Sequence, residues 1–454
     1  MISILRGDAR SLPLPDACID LILTSPPYWQ LRSYSDQGEH YEGQIGSEPT
    51  PGEYLDNLLN CTREWMRVLK PTGSIFINLG DKYANDTKWD GNRKRPSSKH
   101  GKTEIIRRKQ NTGFPPKSLM GLPWRYAIRC IDELGLILRA EIIWEKVNGL
   151  PESVTDRVRR SHEQVFHFTK QQKYFSAVDE IREPHTGTAH DQGPNATVQV
   201  SLSGEGVKHR TFRSRVDDYN PLGKLPGSVW SIPSSPLKVP EWVGVDHFAA
   251  YPPELCRRII LGWSPKEICG KCHEGRFPVS NREVIHLRPG DYRGNAGLNE
   301  DEAHGFDRRA GTHKLSRNTI LGYACACTPY TDHKGTGEST TFKGRYSEAV
   351  KAGVYEVLGN RKRTGPWREY HLDDWDAPET TPGVICDPFG GTGTSAMVAD
   401  VLGRDAISVD MSADYCKLAS WRVHDPVERA KVLKEKISRK DIPPRDQPSL
   451  FEEM

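Results

Sequence analysis

Apolar residues in this chain gather in short runs bounded by glycine, proline and charge. Ile19-Asp20-Leu21-Ile22-Leu23 reads as a short buried strand that delivers the loop Thr24-Ser25-Pro26-Pro27-Tyr28-Trp29 at its end. Near the other end, Val384-Ile385-Cys386-Asp387 reads as a second buried strand. Pro388-Phe389-Gly390-Gly391-Thr392-Gly393-Thr394-Ser395 follows it, and then a helical stretch from Ala396 to Leu402. A further strand, Ala406-Ile407-Ser408-Val409, ends at Asp410, and Pro426 to Ile437 reads as a helix before a charged, proline-containing tail. Between Ser280 and Leu321, and again from His333 to Arg368, the chain is polar and glycine-dotted with no sustained period. No internal repeat is present.

The two strand-end loops suggest chemistry. An exocyclic amino nitrogen on a base is a poor nucleophile, because its lone pair is delocalised into the ring. Ser25 Oγ and the Pro26 carbonyl can each accept one amino N–H and draw the nitrogen towards tetrahedral geometry, ready to attack an electrophilic methyl group. No strong base is needed, since the methylated cationic nitrogen loses its proton readily. Pro26 and Pro27 fix φ and remove two competing donors. Tyr28 supplies a stacking face worth roughly 1–3 kcal/mol, comparable with the cost of unstacking a base from a duplex. Taken alone, Ser-Pro-Pro-Tyr also suits an ordinary proline-stiffened turn. The second loop forms a strand, glycine turn, helix unit whose backbone can approach a ligand closely, while Asp410 is placed to take both hydroxyls of a ribose. A generic dinucleotide site has such a turn too, but Asp-Pro-Phe before the glycines departs from G-x-G-x-x-G.

Together, Thr-Ser-Pro-Pro-Tyr and Asp-Pro-Phe-Gly-Gly-Thr-Gly-Thr resemble the amino-methylating DNA methyltransferases that use S-adenosylmethionine, in the permuted beta-type branch where the catalytic motif precedes the cofactor motif. Further segments match. Gly7-Asp8 resembles the adenine-side acidic position, Gly73 to Asn78 the strand after the catalytic loop, and Trp144-Glu145-Lys146 through His162-Glu163 the segment lining the target-base pocket. His247-Phe248 with Tyr251 to Leu255 resembles the helix entry that closes over the cofactor. The resemblance implies an α/β, doubly wound, Rossmann-like methyltransferase sheet, circularly permuted, with a target-recognition insert. It implies catalytic roles for Ser25, Pro26, Pro27 and Tyr28. It implies cofactor binding by Asp8, Phe248, Asp387, Phe389, Gly390, Gly391, Thr392, Gly393, Thr394 and Asp410. Ser25 in place of Asp resembles members that methylate cytosine N4, with adenine N6 the alternative and a catalytically silent DNA-binding protein on the same fold a reading of another class.

Composition adjusts this picture. The 454 residues allow roughly three domains of ordinary size. A net charge of +3 and a pI near 8.2 are too mild to announce a nucleic-acid binder. The distribution is uneven, however: Lys88 to Arg125 carries eleven Lys and Arg against Asp90 and Glu104, and Arg157, Arg159 and Arg160 form a second cluster. Both suit phosphates of double-stranded DNA. Ten cysteines without a secretory leader or a long apolar run suggest a cytoplasmic protein, with no membrane partner. Cys269-Gly-Lys-Cys272 and Cys325-Ala-Cys327 can supply four thiolates to a structural zinc in a small insert.

The expected division is 1–174 catalytic part, 175–240 target-recognition region, 241–264 cofactor-closing helix segment, 265–332 zinc-binding insert, 333–382 linker, 383–424 cofactor part and 425–454 tail. A cognate restriction endonuclease acting on the same site is a possible partner. None of the ten cysteines follows a proline, which disfavours carbon-5 cytosine methylation, and there is no nicotinamide fingerprint for a dehydrogenase.

Overall fold

The computed structural model describes residues 1–31, 43–84, 113–149, 151–183, 224–240, 251–287, 313–333 and 375–435, together with 243, 437, 367–373 and five two-residue strands. The described chain forms two units: residues 1–176, 227–266 and 382–454 make the first, and residues 177–226 and 267–381 the second. Residues 227–240, read in sequence with the recognition region, belong to the first unit.

The first unit is built on one eight-stranded sheet. Its strands are β1 (Ile2–Arg6), β2 (Ile19–Thr24), β3 (Leu69–Leu79), β4 (Ile137–Glu145), β5 (His162–Thr169), β6 (Val229–Ser231), β7 (Val384–Asp387) and β8 (Asp405–Asp410), in the spatial order β1-β8-β7-β2-β3-β5-β4-β6. From β1 to β3 every pairing is parallel, whereas β5 runs antiparallel between β3 and β4. The sheet is therefore mixed.

Alternation along the strands explains why it is covered on both faces. Ile22 of β2, Ile75 and Ile77 of β3, Cys386 of β7 and Val409 of β8 join one apolar cluster. Leu21 and Leu23, Phe76, Ile385 and Ala406 of the same strands join another. All six residues of β2 are buried, as expected for a central parallel strand. The first cluster takes in helices α1 (Pro51–Val68) and α2 (Leu122–Leu134). The second takes in α3 (Pro253–Trp263) and α4 (Thr394–Val401). Helix α1 starts on a full capping box, Thr50 with Glu53, worth about 1 kcal/mol. After β8 come α5 (Ala413–His424) and α6 (Pro426–Leu433); the latter's last residue, Leu433, is four before the expected end at Ile437, and Lys434 caps it in the left-handed region.

The second unit contains short antiparallel pairings. Ile268–Cys269 pairs with Thr380–Thr381, and Phe277–Leu287 runs against His313–Ala324 with a bulge between Val279 and Ser280. The latter pair lies in the stretch whose sequence showed no period. Its ladder joins residues too far apart along the chain for a local pattern to reveal.

Candidate active site

The Ser25 loop leaves β2 and the Phe389 loop leaves β7. These strands are adjacent and parallel, with Leu21 opposite Ile385 and Ile22 opposite Cys386. The two loops thus emerge side by side from one sheet edge, about 5 Å apart at strand spacing, although more than 350 residues separate them in sequence. Ser395 Oγ reaches the Leu23 carbonyl at 3.5 Å, linking the start of α4 to the end of β2.

Tertiary contacts pin the Ser25 loop. Tyr54 of α1 donates to the Pro27 carbonyl at 3.0 Å, buried Trp29 donates to the Glu48 carbonyl at 2.9 Å, and the Gln30 N–H meets the Gly46 carbonyl at 2.6 Å. Gly46 has φ +95°, and a Cβ there would lie 3.1 Å from the Tyr28 carbonyl. The Tyr28 hydroxyl donates to Glu163 Oε2 at 2.8 Å and accepts from Asn78 Nδ2 at 2.9 Å. Burial and the Glu163 charge push its phenol well above the ordinary range. Asn78 Nδ2 also faces Glu163 Oε2 at 2.9 Å and Ser25 Oγ at 3.4 Å, and Lys146 pairs with Glu163 Oε1. Asn78 and Glu163 bear directly on the Ser25 loop, and Lys146 through Glu163; none of the three is assigned a role from sequence, although the resemblance marks their segments.

The glycine loop is equally constrained. A Cβ on Gly390 would lie 1.9 Å from Ser408 Oγ, and one on Gly393, at φ +71°, would lie 2.8 Å from the Ala419 methyl. Asp387 faces the loop itself: it accepts from Tyr251 at 2.7 Å, Ser395 at 2.6 Å and the Phe389 N–H at 3.2 Å, while burial raises its carboxyl above the ordinary range. The Thr392 and Thr394 hydroxyls lie 2.6 and 2.5 Å from Nη1 of buried Arg422, which also pairs with buried Glu428 at 3.3 Å. Arg422 thus holds both threonine side chains at the turn.

Asp410 accepts from Gly391 N–H at 2.9 Å and from Ser412 N–H at 2.9 Å. The Gly7 N–H donates to the Asp410 carbonyl at 3.0 Å, which brings Asp8 to the same edge. Half-burial of Asp8 opposes its ionisation, but hydrogen bonds from Arg10 outweigh this and hold the carboxyl below its ordinary value. Phe389 sits edge-on to Trp65, with ring centres 6.0 Å apart. Phe248 lies outside the described residues, as do most of the basic stretch after Lys88 and most of 175–240.

In the second unit, Cys269, Cys272, Cys325 and Cys327 converge, with all four sulfurs within 4.8 Å of one another. Tetrahedral zinc with bonds of about 2.3 Å sets sulfurs about 3.8 Å apart, so the cluster fits such an ion. Burial opposes ionisation of Cys269, yet backbone N–H groups of Cys272 and Lys271 bring its thiol down to about 6. No helix among the described residues is long and apolar enough to cross a membrane.

Comparison with known proteins agrees with this geometry. Type II methyltransferase M.XycI of Xanthomonas campestris pv. cyanopsidis is 35% identical over 263 residues, spanning 57% of this chain and 71% of the relative. M.Cfr9I of Citrobacter freundii is 34% identical over 264 residues, 57% of this chain and 71% of its own length. M.SmaI of Serratia marcescens is 37% identical over 198 residues, 43% of this chain and 65% of its own. The N6/N4 family model described as DNA methylase matches residues 19–269, more than half of the sequence, and the chain belongs to that family of DNA amino-methyltransferases.

Proposed function

We propose that this protein is a site-specific methyltransferase that moves a methyl group from S-adenosylmethionine to N4 of a cytosine flipped out of double-stranded DNA. The observation that carries the reading is the emergence of the Ser-Pro-Pro-Tyr and Asp-Pro-Phe-Gly loops from neighbouring parallel strands. Relatives named as Type II methyltransferases support site-specific action and a companion restriction endonuclease. Ser25, where Asp or Asn more often accompanies adenine, supports cytosine. The order of the loops along the chain supports the permuted branch.

Bound S-adenosylmethionine would supply an electrophilic methyl group. Asp410 would take the ribose hydroxyls, Asp8 the adenine side, and Phe389 with Phe248 an apolar contact. The fit rests on a turn in which Gly390 and Gly393 leave no room for a Cβ and on an acidic side chain at its rim. Ser25 Oγ and the Pro26 carbonyl would accept the two amino N–H groups, and Tyr28 would present its ring to the base. The four cysteines would hold a structural zinc, since four protein ligands leave no open position.

Ser25→Ala should lower kcat by about 10²–10³ with S-adenosylmethionine affinity unchanged, because the lost acceptor acts on the amino group in the transition state. Steady-state kinetics with calorimetry checks this, and an unchanged kcat would remove Ser25 from the mechanism.

A further inference from the structure

The Tyr28 ring and the Ser25 hydroxyl are oriented by residues outside their own loop. Glu163, near the start of β5, is a carboxylate and can only accept. Lys146, just beyond β4, pairs with Oε1, which leaves Oε2 to receive the Tyr28 hydroxyl proton at 2.8 Å. With its proton committed there, the Tyr28 oxygen must accept from Asn78 Nδ2 at 2.9 Å. That assignment turns the amide so that Nδ2 also faces Ser25 Oγ, in a long contact of 3.4 Å, while the buried Asn78 Oδ1 has no partner among the described residues. Asn78 Nδ2 has two hydrogens for three acceptors, the Tyr28 oxygen and Glu163 Oε2 at 2.9 Å and Ser25 Oγ at 3.4 Å, so the serine contact is the weakest of the three. The Ser25 oxygen keeps acceptor capacity for an incoming N–H.

Sterics agree with the hydrogen bonds. Gly80, just after β3, abuts the Tyr28 ring, and a Cβ there would lie 2.5 Å from Cε2. The ring is seated against backbone on one side and tethered at its hydroxyl by residues on two other strands. Strand-borne groups hold geometry better than a loop holds itself.

From this we infer that Glu163, held by Lys146, is a positioning residue of the methyl-transfer reaction, acting on the target base through Tyr28 and on its amino group through Asn78 and Ser25. The inference rests on the amino-methyltransferase reading. Glu163→Gln can present an amide N–H where only an acceptor serves, and Tyr28→Phe keeps the ring but removes the tether.

Each variant should lower kcat about 10- to 100-fold, with S-adenosylmethionine affinity and the KM for DNA within about threefold of the parent. The double variant should be no slower than the worse single one, because both changes cut the same connection. Hydrogen exchange of the peptide covering residues 25–31 should also rise in Glu163→Gln, a readout that does not require turnover. Multiplying losses in the double variant, an equal loss of cofactor affinity, or unchanged exchange over 25–31 would overturn the positioning role. Absence of methyl transfer by the parent protein would instead sink the amino-methyltransferase reading, while the exchange result would still decide the link from Glu163 to the loop.

Discussion

Asp410 illustrates how much one side chain is asked to do. Its carboxylate ties the backbone of Gly391 and Ser412, and the proposed site also gives it the ribose hydroxyls. Asp410→Ala should therefore weaken S-adenosylmethionine binding by about tenfold or more, while kcat at saturating cofactor changes little. Unaltered binding by calorimetry would show that the ribose lies elsewhere. Ser25, Tyr28 and the glycines stand out in the sequence because they lie in contiguous motifs, which the sheet brings to one edge. Asn78, Lys146 and Glu163 were not given roles, because the contacts of Asn78 and Glu163 with Tyr28 span 50 and 135 positions of sequence, Lys146 acts through Glu163, and all of them exist only once the sheet is assembled. The contact of the Thr392 and Thr394 hydroxyls with Arg422 is hidden from the sequence for the same reason. Their partner Arg422 lies on α5, and nothing near the glycines announces it.

Among the elements, β2, β7 and β8 follow their apolar runs closely, since a strand buried on both faces leaves an uninterrupted signature. β5 was harder to read, because His162–Thr169 mixes polar and aromatic residues and inserts antiparallel among strands of the other sense. Its His167 has a measurable consequence. The ring is buried, stacks on Phe76 with centres 4.2 Å apart and meets Ser74 Oγ at 3.0 Å. Burial, assisted by the Arg139 charge, pushes its imidazole down to about 3. The unfolded chain, with an ordinary imidazole near 6.5, takes up a proton that the folded chain refuses across that interval. This contribution to stability is present above pH 6.5 and is lost as pH falls towards 3, with a slope approaching 1.4 kcal/mol per pH unit. Denaturant unfolding at several pH values checks it: His167→Phe should flatten the slope, and an unchanged slope would assign acid sensitivity to other groups.

For the molecule as a whole, the two units should respond differently to metal removal. If the cysteine cluster holds zinc, purified protein should carry about one zinc per chain, and a strong chelator should loosen the second unit while the sheet of the first unit keeps its exchange protection. Metal-free protein with four readily titrated thiols would contradict that role. The family match runs from 19 to 269 and so stops short of the Asp-Pro-Phe-Gly loop, which is brought beside the Ser25 loop by the pairing of β2 with β7. The central claim, transfer of a methyl group to an amino group of DNA, is tested most directly by incubating the protein with S-adenosylmethionine and unmethylated duplex, digesting to nucleosides and identifying the modified base by mass spectrometry. N4-methylcytosine is the predicted product. N6-methyladenine would contradict the assignment of the base from Ser25, and 5-methylcytosine or no methylated base at all would contradict the account of the site.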